Sequence, residues 1–482
     1  MGGSSPPLAR LPRLPLLTLL AHGDFARTVA HCASRGLPIA TATLPGGRAL
    51  FFVSRPALAF DFTSAQPGVF SAREDHAAAA PGVVRAAGEA WHARRARLQP
   101  LQAPSALEEI VAPAARAHLA ALPRAALRLP PPALLATCRG FARRVMHELL
   151  FSAQPATPPP LPPPAAARGA RRRAAWRRVA RGALAVAQLR ALLRARRGSF
   201  FELAGAFTNA PRKVQRLAAS IAARLPRRVS GGGAAAAAAA AAEGGGAPSE
   251  EEWVKAQVLL RCGEGAADGA GRRRRDDVLQ WLLGEATPPS EAVAYALPIV
   301  SDLLAAGAET TAAAIASAAL LLAGDEEKRA IAAEEAGRFL SEGDMETLDV
   351  RKALTSLRYC RACVMEALRL YPPAPLVMRV ANSDTTLHGV DIPKGSAVIT
   401  SPETLGRDPE SWERPNEFLP NRFLDGPAAP PGAYIPFGAG PRACVGQQAA
   451  LLISTLAIAH LFASSSDDEQ SSDDDAEPDE SI

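Results

Sequence analysis

The stretch that decides the fold reads Phe437-Gly438-Ala439-Gly440-Pro441-Arg442-Ala443-Cys444-Val445-Gly446, near the end of the 482-residue chain. The apolar run 449–461 follows it. A helix beginning there would place Cys444 at its N-terminus, where the helix dipole and free backbone N–H groups lower the pKa of a thiol. Gly440 and Gly446 carry no Cβ, so the backbone can approach a neighbouring group closely there. A thiol of lowered pKa in a glycine-framed turn is therefore expected; a buried structural cysteine is the alternative.

This segment resembles the haem-binding signature of the cytochrome P450 family, Phe-x-x-Gly-x-Arg-x-Cys-x-Gly, with every fixed position filled. The resemblance implies a haem b cofactor with Cys444 as the axial ligand of its iron, because a cysteine thiolate pushes electron density onto iron. It also implies that Arg442 meets a haem propionate in a charge-assisted hydrogen bond and that Phe437 covers the sulfur. The glycines counted among the haem contacts are Gly438, Gly440 and Gly446.

A long apolar stretch, Glu291–Ala323, carries the motif Ala306-Gly307-Ala308-Glu309-Thr310-Thr311. A glycine and paired threonines are locally unfavourable within a helix, which makes them informative. The motif resembles the central-helix motif of the same family, in which Ala306 and Gly307 would leave room beside the distal haem face. The resemblance implies that Glu309 and Thr310 deliver protons during oxygen activation. Taken alone, the hexapeptide also fits a threonine pair beside an exposed glutamate.

Glu366-x-x-Arg369 lies in the helical stretch 357–370, and its two side chains share one face because they are three residues apart. Arg422 follows before the cysteine segment. In this order the residues resemble the family's Glu-x-x-Arg pair and the arginine that joins it. The resemblance implies a structural role, in which they lock the meander that carries the cysteine loop. An ordinary surface pair is the alternative for Glu-x-x-Arg taken alone.

Three more residues match haem-holding positions of the family. Trp91-x-x-x-Arg95 resembles the helix whose tryptophan and arginine reach a propionate, and Arg379 resembles a strand arginine with the same role. The segment 374–378 would then line the substrate cavity. Surface positions without function are the alternative for each match taken alone.

Composition and charge narrow the class of protein. The six cysteines do not have the regular spacing of a disulfide framework, which favours a reducing compartment, and Cys360-x-x-Cys363 is interpreted as incidental.

Charge is unevenly distributed along the chain. The formal net charge is +6, although nine acids lie after Ser466 and eleven arginines fall between Arg168 and Arg197. Such a basic face could meet an acidic redox partner or an anionic lipid surface, and a merely solvated face is the alternative. No binding motif supports nucleic acid.

The predicted fold is mainly α with minor β, a single haem domain of the P450 type over residues 26–463. Residues 1–25 form a leader that mildly resembles an organelle transit segment, and low-complexity insertions are expected at about 152–175, 229–250 and 262–275. Residues 464–482 form an acidic tail, expected to be disordered, where relatives continue into β-strands. No transmembrane anchor is predicted, because the N-terminal apolar run 14–21 is too short to span a membrane and acids interrupt Glu291–Ala323. An intracellular protein is expected, with a plastid or a peripheral membrane contact as options.

The resemblance implies a monooxygenase that places one atom of O₂ into a hydrophobic small molecule. Electrons would come from NAD(P)H through a separate reductase or ferredoxin, because no flavin or ferredoxin domain is evident. One alternative is a haem-thiolate isomerase or dehydratase acting on hydroperoxides, although Glu309 and Thr310 argue against it. The other is a haem-binding protein without enzyme activity, which the unusual C-terminal end favours.

Overall fold

The structure is a computed structural model that describes residues 11–15, 24–44, 47–65, 69–71, 86, 88–152, 250–263, 277–283, 289–341, 350–424 and 429–463. The three predicted insertions lie almost entirely outside the described residues, and the predicted acidic tail lies wholly outside them. Part of the predicted leader is described. Leu14 N donates to Thr41 O at 2.8 Å, so this short segment pairs with the edge of the sheet.

The described residues are mostly helical, which confirms the predicted fold class. The helices are α1 (Phe25–Ser34), α2 (Pro56–Ser64), α3 (Gly88–Leu98), α4 (Ala112–His118), α5 (Pro131–Phe151), α6 (Glu250–Gly263), α7 (Val278–Leu283), α8 (Pro289–Ala323), α9 (Glu326–Ser341), α10 (Val350–Ser356), α11 (Arg358–Leu370), α12 (Pro402–Gly406) and α13 (Gln447–Phe462). A three-residue helix at Pro104–Ala106 and a π-helical stretch, Leu107–Val111, precede α4, and short 3₁₀ turns include Pro420–Phe423 and Gly440–Arg442.

The β structure is small and lies mainly near the N-terminus and after α11. The strands are β1 (Ile39–Thr43), β2 (Ala49–Val53), β3 (Phe70–Ser71), β4 (Val377–Ala381), β5 (Thr385–Leu387), β6 (Val390–Ile392) and β7 (Ala397–Thr400). The first sheet has the order β1-β2-β7-β4-β3, with β2 and β7 parallel and the other neighbours antiparallel. β5 and β6 form a separate hairpin. The register pairs Arg379 with Val398, which fixes the position of that arginine beside β7.

Helix α8 runs through the middle of the helical part, in contact with α5, α6, α11 and α13. Its 35 residues give a length of roughly 50 Å. Residues Glu291–Ala323 are long and apolar enough to cross a membrane by length and composition, and half of the most apolar window is buried against the protein. The core helix of a folded domain has the same composition. The packing of α8 within the largest apolar core accounts for its apolar sequence.

One apolar stretch adopts a different structure from the one that its sequence favours. Residues 57–60 read as a strand, but they lie in α2, which begins with Pro56 in a position that suits the fixed φ of proline. The basic helix α3 is followed directly by a 3₁₀ turn, Gln99–Gln102, which contains Pro100.

The start of α11 is held by a neighbouring helix rather than by its own N-cap. Leu357 at the cap position makes no side-chain bond. Instead, both carboxylate oxygens of Glu335 on α9 accept bonds at 2.8 Å, from the backbone N–H groups of Tyr359 and Cys360. These groups are the orphan donors of a helix terminus, so Glu335 fixes α11 relative to α9 before any ligand is considered.

Candidate functional site: a cysteine loop beside three arginines

The cysteine loop is a tight turn closed by its own backbone. Cys444 N donates to Phe437 O at 2.8 Å, and Gly438 and Gly440 adopt φ of +72° and +68°, a region that glycine enters without strain. A Cβ on Gly440 would lie 2.5 Å from Ser64 Cα. Gly440 is therefore required by the close approach of α2, which is a different reason from the contact with a flat ligand that the sequence suggested.

The pKa of Cys444 also differs from expectation. Helix α13 begins at Gln447 with Gly446 as its N-cap, so the cysteine lies just before the helix. Although Cys444 is accessible at the loop surface, burial of its sulfur among the surrounding residues raises the pKa of the thiol. The backbone N–H of Gly446 and the charge of Arg95 act in the opposite direction. The expected lowering by the helix terminus is outweighed because desolvation penalises the thiolate.

Arg442 lies in an unusual environment for a guanidinium. Its Cζ is 4.1 Å from the centre of the Trp91 ring, and Nη1 donates to Ala86 O at 2.9 Å. Its Nε and Nη2 atoms are buried and donate to no atom of the described residues. Burial, with repulsion from Arg379 and Arg95, lowers the pKa of Arg442 to about 10.

Arg379 and Arg95 complete the group, which we call the arginine cluster (Arg95, Arg379 and Arg442). Arg379 is buried on β4, and desolvation lowers its pKa to about 10. Its guanidinium donates to the adjacent carbonyl of Met378 at 2.9 Å. Desolvation also lowers the pKa of Arg95, which the charge of Cys444 opposes. No described carboxylate forms an ion pair with any of the three.

Mutually repelling, desolvated cations beside a thiol fit a flat ligand that carries carboxylates at one edge. Charge-assisted bonds to guanidinium groups are the strong class of hydrogen bond, and the buried Nε and Nη2 of Arg442 supply donors for them. Haem has two propionates on one edge, so the residues present fit the cofactor that the sequence suggested. They would hold it by Cys444 on the iron and by the arginine cluster on the propionates.

A second group of charges is fully paired. Both oxygens of Glu366 accept bonds at 2.7 Å from the buried Arg369 side chain, and Arg422 Nε and Leu419 N donate to the same carboxylate at 3.1 and 2.9 Å. Arg369 also donates to the carbonyls of Gly406, Pro415 and Glu417. We call Glu366, Arg369 and Arg422 the charge lock, because it joins α11 to the segment that leads to the cysteine loop.

Trp412 packs against the charge lock, and it was not identified from the sequence. Its buried ring lies 5.0 Å from Arg369 Cζ and 5.6 Å from Arg422 Cζ. Guanidinium groups over an aromatic face gain cation–π attraction. A tryptophan placed between the Glu-x-x-Arg pair and Arg422 was the available signal.

On α8, the hydroxyl of Thr310 donates to Ala306 O at 2.6 Å, and both residues are exposed. The Glu309 carboxylate forms an ion pair with α5, where its Oε1 lies 2.7 Å from Arg139 Nε. Arg139 was not identified from the sequence, because no motif in α5 distinguishes one arginine from another.

Gly307 has a different neighbour from the one that the sequence suggested. A Cβ on Gly307 would lie 2.5 Å from Met146 Sδ. The missing side chain therefore makes room for the end of Met146, whereas the sequence suggested that it makes room beside haem.

The Cys360 and Cys363 pair is buried on α11, where burial raises the pKa of both thiols. Among the residues that the structure describes, no cluster of three or more histidine, cysteine or acidic side chains could hold a metal ion. Buried thiols of this kind are inert.

Residues 290–480 match the family model for cytochrome P450. Soybean (Glycine max) cytochrome P450 71A9 is 33% identical over 210 residues, 41% of each chain. Rainbow trout (Oncorhynchus mykiss) cytochrome P450 3A27 is 42% identical over 115 residues, 23% of this chain and 22% of its own. Parsnip (Pastinaca sativa) psoralen synthase is 39% identical over 126 residues, 25% of each chain.

Residues 290–480, about two fifths of this chain, are therefore similar to cytochrome P450 proteins of plants and animals. The chain covers less than half the length of these curated relatives. The matched range contains α8 with its Glu309-Thr310 pair, the charge lock and the cysteine loop. Trp91 and Arg95 lie before it, and their place beside Arg442 rests on the geometry alone.

Proposed function

We propose that this protein is a haem-thiolate monooxygenase that uses haem b, O₂ and electrons from NAD(P)H. The observation that carries the proposal is the convergence of Cys444 and three guanidiniums that no described carboxylate neutralises. Bound haem supplies activation of O₂ at iron, and the protein positions and tunes it. The match of residues 290–480 to the cytochrome P450 family model supports the same reaction class.

The residues of this chain would bind the haem and hold the cysteine loop in place. Cys444 would supply a thiolate ligand to the haem iron, and bonding to the metal would offset the desolvation that raises the pKa of this thiol. The arginine cluster would fix the propionate edge, and the Trp91 ring, 4.1 Å from Arg442 Cζ, would support Arg442. The charge lock would hold the loop without touching the reactants.

Proton transfer would use Thr310 and Glu309. The Thr310 hydroxyl donates to Ala306 O, so its oxygen can accept a hydrogen bond from water. The Glu309 carboxylate is held by Arg139 and is half exposed. The ion pair with Arg139 involves Oε1 of Glu309, so Arg139 would act as a positioning residue that orients this carboxylate for proton transfer.

The substrate is proposed to be a hydrophobic small molecule, with electrons from a separate reductase or ferredoxin. Val377 and Met378, half-buried next to Arg379, are the described candidates for the cavity wall. A hydroperoxide isomerase that needs no reductant is the second candidate, and the Glu309-Thr310 pair disfavours it. Substrate-dependent NADPH consumption with a partner reductase distinguishes the two.

The first test is the carbon monoxide difference spectrum of the full chain, loaded with haem and reduced with dithionite. We expect a Soret band shifted strongly to the red in the wild type and in Cys32→Ala, which removes a buried thiol on α1. Cys444→Ser should bind haem with the band at the position of a neutral ligand. A red-shifted band that survives Cys444→Ser would overturn the assignment.

A further inference from the structure

A second cavity lies between α10, α11 and the 3₁₀ turn Pro420–Phe423, apart from the cysteine loop and the arginine cluster. It has a volume of about 520 Å³, within the range of roughly 300–1,000 Å³ that small-ligand sites occupy. Its walls are partly apolar, with Leu354 from α10, Met365 from α11 and Leu424 after the turn.

Two arginines give this cavity its charge. Arg358 and Arg361 both line it, and neither forms an ion pair with a described carboxylate. Arg358 Nη2 donates to Leu424 O at 2.8 Å, which fixes its guanidinium at the rim. Arg361 Nε is buried and donates to no atom of the described residues. A buried donor without a partner is unfavourable, and a ligand oxygen that accepts from it would remove that penalty.

We propose that this cavity, which we call the α11 cavity, binds a small amphipathic anion. The occupant would place a carboxylate or sulfonate against Arg358 and Arg361 and an apolar ring or chain against Leu354, Met365 and Phe423. Charge favours an anion because the described lining holds two guanidiniums and no acid. Apolar walls favour an occupant with a hydrophobic body over inorganic phosphate.

The α11 cavity adjoins the charge lock on both sides. Met365 precedes Glu366, and Phe423 follows Arg422, so an occupant would contact the two elements that the lock joins. Met365 is further fixed by Tyr434, whose hydroxyl donates to Met365 O at 3.1 Å. A bound anion would therefore stabilise the attachment of the cysteine-loop segment to α11 without contacting Cys444.

The test uses two dyes with one ring system. 1-Anilinonaphthalene-8-sulfonate carries a charge, and N-phenyl-1-naphthylamine is the same molecule without the sulfonate. We expect fluorescence titration of the haem-loaded full chain to show a site for the sulfonate whose affinity falls about tenfold or more in Arg361→Gln, as loss of a charged hydrogen bond predicts. The neutral dye should show no difference between wild type and variant.

Three controls keep the result interpretable. Arg358→Gln tests the rim charge if Arg361→Gln fails to fold, and it should weaken sulfonate binding in the same direction. Arg338→Gln removes an exposed arginine of α9 and should leave both affinities unchanged. Leu354→Trp should fill the cavity and weaken the sulfonate site. Equal sulfonate affinity in wild type and both cavity-arginine variants, or equal affinities of the wild type for the two dyes, would overturn the proposal.

Discussion

The charge lock and the arginine cluster use the same residue type in opposite ways. In the lock, two guanidiniums surround one buried carboxylate, and backbone carbonyls accept most of the remaining N–H groups of Arg369. In the cluster, three guanidiniums approach one another, and repulsion between them helps to lower the pKa of Arg442. The lock is complete within the chain, whereas the cluster has the charge of a site that an anionic ligand completes.

This contrast separates residues that hold the fold from residues that hold a ligand. Breaking a paired, buried charge leaves its partner uncompensated. Removing a cation that is desolvated and repelled by neighbouring cations leaves no uncompensated charge behind. The two regions should therefore respond differently to loss of one charge, even though both are buried and both contain arginine.

The largest effect is expected for Glu366→Gln, which removes the only described carboxylate that contacts Arg369. The buried guanidinium would keep its charge without a counterion, at a cost of about 3–5 kcal/mol. Chemical denaturation should show this fall in the free energy of unfolding, together with weak haem retention. The control is Glu403→Gln, an exposed partner of Arg407, which should change stability by less than about 1 kcal/mol. A similar loss in both variants would contradict the contrast.

A smaller effect with a different signature is expected for Arg379→Gln. Without haem, the free energy of unfolding should not fall, because a desolvated cation with a lowered pKa has been removed. With haem, the rate of cofactor transfer to a scavenger apoprotein should rise about tenfold, the value of one charge-assisted bond. If the ligand-free variant loses as much stability as Glu366→Gln, then Arg379 belongs to the fold and not to the ligand site.

The smallest effect concerns pH and lies outside both regions. Burial, and next the charge of Arg124, lower the pKa of His460 in the last turn of α13. Below the ordinary histidine pKa of about 6.5, the unfolded chain takes up a proton that the folded chain resists, so stability falls as pH falls. His460→Gln should therefore reduce the loss of melting temperature between pH 7.5 and 5.5. His31→Gln, on α1, serves as the control, and an unchanged slope in His460→Gln would refute the assignment.

The sequence predicted the parts of the site that have local motifs. The bounds of α8 and α11 agree with the pattern to within a few residues, because their apolar periodicity is strong and Gly324 and Pro372 end them. Arg139, Ala86 and Ser64 could not be placed in the same way. Each makes its contact through tertiary packing, and an atom that a distant segment contacts leaves no pattern among its own neighbours in the chain. The same limit applies to the reason for Gly440, because the backbone that it approaches is that of α2, which is distant in the chain.

The bond from Arg442 to Ala86 O joins residues 356 positions apart. At a synthesis rate of roughly 5–20 residues per second, Ala86 and α2 emerge on the order of 20–70 s before the cysteine loop. During that interval the segment around Ala86 lacks the cysteine loop that it contacts in the folded protein. Apolar surface that is exposed during this time is prone to aggregation. Residues 290–480, the part most easily recognised, would not form this contact if produced alone. The contact between Ala86 and Arg442 can therefore form only after the cysteine loop has been synthesised.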